Sequence, residues 1–479
     1  RDRSVSRGLG DVYKRQDYTG WSGNNIVIDR NDPVIDAKRP EGSKDDWFNK
    51  NVVYNISVSD DKGINSAYVT INDTKVATFE TDKTDVKTAT LSADTSLVKP
   101  NYDGSYDIKV YTEDNSKRNA SWSDRVYIDT DAPTNIAVDC ETPSNEKGGN
   151  VYFKNSFYIQ ISASDDYAGI SKYYLNGTES NETGRFLIDA NGSYTVSVED
   201  KMGNKSEPKT LQELLGWQGN NIIIDGNKPV FDTSRPDGED TENKNWYKKN
   251  VIYSVKITDE EGINFAYMKV NGLTVSEFTT EETDVKTTTL SLDTSKVAPD
   301  SKGAYAIEVY TEDNCKNENS WSATIYVDYN PPYNLTASAI SPKKEKGGNV
   351  YFNDDVALTV KAVDDYVGLK GFKLNGKVST SGTYTITDDG EYSVTAYDKL
   401  YNESGKHSLQ SLLGWSGNNI VIDGSKPVIS APRPAGESSI KKNWYGKDVV
   451  YNISVSDNKG IDNAYVTING EKVDSYYTA

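Results

Sequence analysis

The sequence predicts an all-β chain, a series of small β-sandwich domains joined end to end. Three observations carry that expectation. First, the chain repeats itself: the segment from Gly20 to Asp29 returns from Gly216 to Asp225 and again from Gly414 to Asp423. Its tryptophans Trp21, Trp217 and Trp415 stand about 200 residues apart, far beyond a solenoid period, so each unit must hold whole domains. Second, apolar and polar residues alternate with period two through many short runs. Third, Asn-Gly pairs close those runs, and such pairs supply the two positive φ angles of a type I′ hairpin turn. Repeated copies favour a protein that sets length, spacing or valency over one organised around a single catalytic centre.

Each long unit divides into two related halves, type A and type B. Type A opens near Pro33, Pro229 and Pro427, and type B near Pro133 and Pro332. The expected limits are 17–31 for the C-terminal remnant of a type B domain, 32–130 for type A and 131–227 for type B. They continue with 228–329 for type A, 330–425 for type B and 426–479 for a truncated type A. Residues 1–16 match nothing later in the repeat and resemble translated sequencing-adapter sequence. They are set aside, and the chain is read as a metagenomic fragment.

Within a domain the elements follow in order. Val52, Tyr54, Ile56 and Val58 share one face of a strand, with Asn55, Ser57 and Ser59 on the other. Val251, Tyr253, Val255 and Ile257 repeat this, as do Val449, Tyr451, Ile453 and Val455; in type B, Phe157, Ile159, Ile161 and Ala163 do the same. One packing face and one wet face mark antiparallel sheets. A hairpin turn follows at Asn72-Asp73, Asn176-Gly177, Asn271-Gly272, Asn375-Gly376 and Asn469-Gly470. A Gly-x-Tyr step then enters a later strand, ending at Tyr106, Tyr194, Tyr305 and Tyr392. One helical turn is expected from Leu211 to Leu215, with a copy from Leu409 to Leu413.

Composition sets the bounds. The chain has 479 residues with only 35% hydrophobic content, yet aromatics reach 11% with 33 Tyr. Disordered chains are poor in aromatics, so several small domains with thin, Tyr-rich cores are expected. A formal charge of -19 repels a phosphate backbone and argues against nucleic acid, while it suits carboxylates that meet divalent cations. Cys140 and Cys315 fall in different domains and neither recurs, which points to two thiols rather than a disulfide. No apolar run reaches the roughly 18 residues of a membrane helix, so no membrane span is expected.

The Gly-x-Tyr placement resembles the tyrosine corner before strand F of an immunoglobulin-like sandwich. The junctions Ile128-Asp129-Thr130-Asp131-Ala132-Pro133 and Val327-Asp328-Tyr329-Asn330-Pro331-Pro332, and strand ends such as Val198-Glu199-Asp200-Lys201-Met202-Gly203-Asn204, resemble those of tandem bacterial immunoglobulin-like domains in large cell-surface proteins and adhesins. The likeness runs over residues 17–479. It implies tandem immunoglobulin-like β-sandwiches in an extended, monomeric rod at the bacterial cell surface or outside the cell. The segment would act as a stalk or adhesive array meeting a cell wall, host or community surface ligand, protein or glycan. Short linkers stiffened by Pro33, Pro133, Pro229 and Pro427 agree with a rod. The competing expectation is an accessory glycan-binding array of a larger extracellular polysaccharide-degrading enzyme.

Catalytic chemistry finds few parts. His407 is the one histidine, and with no repeated Cys the usual triads and zinc sites lack their components. The chain is expected not to be an enzyme. Calcium is the sharper expectation. Each linker brings an Asp, as at Asp29, Asp129, Asp225, Asp328 and Asp423, while acidic residues also mark the B–C and F–G loops at the same pole. The candidate ligands are Asp129, Asp131, Asp165, Asp166 and Asp200 at one junction, and Asp29, Asp32, Asp60, Asp61 and Asp114 at the junction before it. Ca2+ is the candidate ion, since it takes six to eight oxygens, carboxylates among them. Against this, an Asp in a tight turn caps its own backbone without any metal. The second linker carboxylate, Asp32 or Asp131, also gives way to Lys228, Asn330 and Lys426 elsewhere, which argues against a uniform site. The tryptophans occupy repeated framework slots, among them Trp47, Trp246 and Trp444 just before a strand. Covering the edge of a thin core is the commoner use of such rings than a sugar platform.

Overall fold

The computed structural model describes residues 25–177 and 179–478. Trp21, the start of the first repeat copy and the set-aside residues 1–16 lie outside the described residues. The chain divides into two compact units: one runs to Asn227 and takes in Asn314–Asn317, and the other holds Lys228–Asp313 and continues from Glu318.

The first sandwich is built from β1 (Val34–Ala37), β2 (Trp47–Phe48), β3 (Val53–Ser59), β4 (Ile64–Ile71), β5 (Thr74–Glu80), β6 (Thr88–Asp94), β7 (Ser105–Asp114) and β8 (Asn119–Ile128). A three-stranded sheet in the order β1-β3-β6 packs on a five-stranded sheet in the order β2-β8-β7-β4-β5. The alternation read from the sequence decides the faces. Tyr54, Ile56 and Val58 are buried on β3, while Val53 is exposed. They meet Val69, Ile71, Ile108, Val110 and Val126 from the other sheet in one core. The β4–β5 turn needs two positive φ angles, and Asn72 (47°) and Asp73 (60°) both adopt them. Asn tolerates that region through local hydrogen bonding.

The second sandwich is built from more and shorter strands than the first. Its pieces are β9 (Thr134–Cys140), β10 (Asn145–Lys147), β11 (Asn150–Phe153), β12 (Phe157–Ser164), β13 (Ile170–Leu175), β14 (Glu179–Asn181), β15 (Arg185–Ile188), β16 (Gly192–Ser193), β17 (Thr195–Asp200), β18 (Lys209–Thr210) and β19 (Asn221–Ile224). They form three small sheets, β10-β11-β19-β16, β15-β12-β9 and β14-β13-β17-β18, around one core that includes Phe157, Ile159 and Ile161. The single helix α1 (Leu211–Leu215) carries a capping box: the Thr210 side chain accepts from the Glu213 N–H, and the Glu213 carboxylate accepts from the Thr210 N–H. Gly216 ends it at a φ of 72°. The Tyr194 hydroxyl donates to the Ala190 carbonyl at 2.7 Å, four residues back along the chain, as a tyrosine corner does.

The third sandwich repeats the first, with its own core around Tyr253, Val255, Ile257, Ile307 and Val309. The fourth repeats the second, with a core around Phe352, Leu358, Val360 and Trp415 and a second short helix, α2 (Leu409–Leu413). Each of these four cores draws on one sandwich only, and no sheet among the described residues mixes strands of two. The last stretch holds a hairpin of Asn463–Ile468 with Glu471–Tyr477 and a short pair of Val428–Ser430 with Ser454–Ser456. The long alternating strand expected from Val449 to Val455 shrinks to those three residues, and Tyr451 and Ile453 are exposed. Its sequence has the period of β3, but among the described residues no strand covers it as β6 covers β3. A second departure is the short parallel strand. Trp47–Phe48 runs parallel to β8, and β11 runs parallel to β19. A two-residue strand has no readable period, so sequence patterning passed over it.

Candidate metal centres

Where β8 leaves the first sandwich, Asp129 is drawn into the second. Its carboxylate, that of Asp165 from the β12–β13 loop and that of Asp200 at the end of β17 each offer an oxygen within 4.8 Å of the others. Asp129 and Asp200 are each only 1% exposed. Local hydrogen bonds hold the three in place. Asp129 accepts from the N–H groups of Asp131 (3.2 Å) and Ala168 (2.8 Å), and Asp165 accepts from that of Gly169 (2.7 Å). Asp200 accepts from the N–H groups of Met202 and Asn204, both at 2.8 Å. The Asn204 side-chain amide bonds Asp200 (2.7 Å) and the Asp129 carbonyl (2.9 Å), which ties the linker to the second sandwich. Burial, and the charges of Asp165 and Asp200 beside it, push the Asp129 carboxyl up to about 6.

The same construction appears inside the other unit with Asp328, Asp364 and Asp398. Asn402 donates to the Asp328 carbonyl (3.1 Å) and to Asp398 (2.7 Å), as Asn204 does in the earlier copy. Burial raises Asp328, and it pushes Asp364 up to about 6, with Asp328 and Asp398 adding repulsion. One oxygen of Asp364 has no hydrogen-bond partner. This triad was not singled out from the sequence because Asn330 replaces the second linker carboxylate. The geometry removes that objection: Asp131 and Asn330 both contribute a backbone N–H, to Asp129 and Asp328 respectively, so the side chain at that position is not what the carboxylates use. Asp131 and exposed Asp166 do not join the converging group.

At the head of the first sandwich Asp29, Asp60 and Asp61 come together. Asp60, 7% exposed, accepts from the N–H groups of Lys62 and Gly63 through one oxygen, and its second oxygen has no partner. Asp114, fully buried, likewise leaves one oxygen unpaired. It stands outside the three, but Ser116 Oγ lies 3.0 Å from it and 3.2 Å from Asp29. Asp32 is turned away to Arg118 at 2.6 Å. Here cations already answer part of the charge, since Lys62 also lies 3.2 Å from Asp61.

The two sandwiches meet at a further point beside the first triad. Gly104, at a φ of 78°, lies under the Tyr167 ring, and a Cβ there would sit 3.0 Å from it. Gly303 and Tyr366 repeat the arrangement, with 2.8 Å.

No family model matches the chain, and no curated protein matches it. Among solved structures, the N-terminal eight immunoglobulin domains of Down syndrome cell adhesion molecule align at a TM-score of 0.32 and 11% identity, over 82% of this chain and 49% of that one. The chain thus spans about half the length of that structure. A tetra-tandem repeat in the extending region of a large adhesion protein aligns at 0.28 and 17%, over 75% and 96%. A Ca2+-stabilized adhesin of an Antarctic bacterium aligns at 0.25 and 13%, over 82% and 100%. On its own sheets and cores, the chain is a tandem array of small β-sandwiches of the immunoglobulin-like class.

Proposed function

We propose that this chain is a non-catalytic repeat segment of a bacterial secreted or cell-surface protein, extending or presenting a distal domain, with Ca2+ setting the stiffness of its A–B junctions. The domain limits expected from the sequence, from 32–130 to 426–479, are part of this reading. So are an extracellular location, a monomeric state and a surface ligand of protein or glycan. The observation that carries it is the carboxylate triad at each A–B junction. Asp129, Asp165 and Asp200, and likewise Asp328, Asp364 and Asp398, crowd like charges together, two of each three buried and the third half-buried, and no Lys or Arg among the described residues forms an ion pair with them. Such crowding costs free energy unless a cation answers it. An all-oxygen set of this kind fits Ca2+ rather than a soft metal.

Small-angle scattering of the full chain in Ca2+ and in EDTA tests the reading. A longer maximum dimension and a higher melting temperature in Ca2+ are expected; identical profiles in both would remove the junction ion.

A further inference from the structure

We propose that the outer face of the five-stranded sheet in each complete type A sandwich is a saccharide-binding site, centred on Tyr68 and Tyr111 in the first and on Tyr267 and Tyr310 in the third. This does not rest on the stalk reading.

In the first sandwich β4 and β7 pair with Tyr68 opposite Tyr111. Their neighbours Ala67, Val69, Val110 and Thr112 are buried in the core, so period-two alternation turns both tyrosines outward. The rings stack at 5.2 Å with 28° between their planes. Across the sheet, Tyr111 stands opposite Ser121 and Lys109 opposite Ser123. The Asp73–Lys109 ion pair (2.8 Å) bounds the far side. Together these residues line a shallow depression of about 450 Å3, within the range of small-ligand sites. The Lys75 ammonium lies 4.3 Å from the Tyr68 ring centre and caps that end.

The third sandwich returns the same row. Tyr267 faces Tyr310 across the strands at 5.3 Å and 21°, Tyr310 stands opposite Ser320, and residue 308 opposite Ser322. Around them the charges are not kept: Glu308 stands where the first copy has Lys109, and Gly272 where it has Asp73. What recurs is a stacked aromatic pair beside two exposed serine hydroxyls.

Sugar rings carry apolar C–H faces that stack on aromatics and hydroxyls that pair with side-chain donors and acceptors. A neutral ligand also avoids the repulsion that an anionic one would meet on a chain of net charge -19. A protein partner would need about 800 Å2 on this side with several apolar anchors, more than two rings supply. Trp47 and Trp246 are engaged elsewhere, Trp47 stacked on Tyr127 (4.9 Å) and Trp246 on Tyr326 (4.6 Å), whereas half-buried Trp122 adds to the lining of the first depression.

Native gel electrophoresis of the full chain through xylan, galactomannan, mixed-linkage β-glucan or soluble starch tests the assignment. At least one polysaccharide should retard it. Tyr111→Ala with Tyr310→Ala should weaken that binding roughly tenfold or more, and Tyr111→Phe with Tyr310→Phe should keep most of it. Ser121→Arg with Ser320→Arg, at exposed positions outside the core, should fill the depression and abolish binding. No retardation of the unaltered chain by any of these, or retardation that survives the Ser→Arg pair, overturns the proposal.

Discussion

A buried carboxylate is costly unless hydrogen bonds or a cation answer its charge. At Asp129 and Asp364 the hydrogen bonds do not suffice, and both carboxyls rise to about 6. Between about pH 4 and pH 6 the folded chain therefore holds protons that the unfolded chain has lost, so these groups make stability fall as pH rises through that window. In EDTA the melting temperature is expected to drop from about pH 5 to about pH 7. Millimolar Ca2+ should reduce the drop, because metal binding favours the ionised carboxylate. Surface carboxylates such as half-buried Asp94 and exposed Asp103, held low by Ser96 and Ser105, act in the opposite direction only at lower pH. Asp200→Asn with Asp398→Asn should leave melting in EDTA unchanged or slightly higher while removing the response to Ca2+; a retained Ca2+ shift would place the ion elsewhere. Most of these carboxylates were legible as acidic loop residues. Their gathering at one pole was expected, but which of the five candidates come within reach of one another was not legible, because Asp129, Asp165 and Asp200 stand 36 and 35 residues apart along the chain.

At the scale of elements, local chemistry specified most of what formed. The hairpin turns follow from Asn-Gly and Asn-Asp, with Asn271 and Gly272 at 50° and 81°. Helices α1 and α2 are too short to persist alone, so their caps matter. Thr210→Ala removes a full capping box and should cost about 1 kcal/mol. Ser408→Ala removes only one accepted bond, from Ser411, and should cost about half as much. Urea titration followed by Trp fluorescence would rank the two, and equal effects would discount the box. At the A–B contact, Gly303→Ala forces a Cβ against Tyr366 at a positive φ. It should cost about 1–2 kcal/mol and make the junction more sensitive to proteolysis. The short parallel strands escaped the sequence reading because their register is set by the partner strand, not by any pattern of their own.

At the scale of the molecule, each of the four main cores closes within its own sandwich, so damage there should stay local. Ile307 is 1% exposed in the third core, and Ile307→Ala should cost about 2–5 kcal/mol. Calorimetry is expected to show one transition moving down while the others hold; a uniform shift of the whole profile would mean the sandwiches melt as one. By itself the sequence determined the β class, the turns, the short helices and most inward faces, because these depend on residues within a few positions of one another. Only the tertiary structure decided which of the carboxylates at a pole come within reach of one another, that residue 131 or 330 serves through its backbone, and that Tyr68 lies against Tyr111. Those outcomes depend on strand register and loop closure, which bring together residues that no local pattern connects.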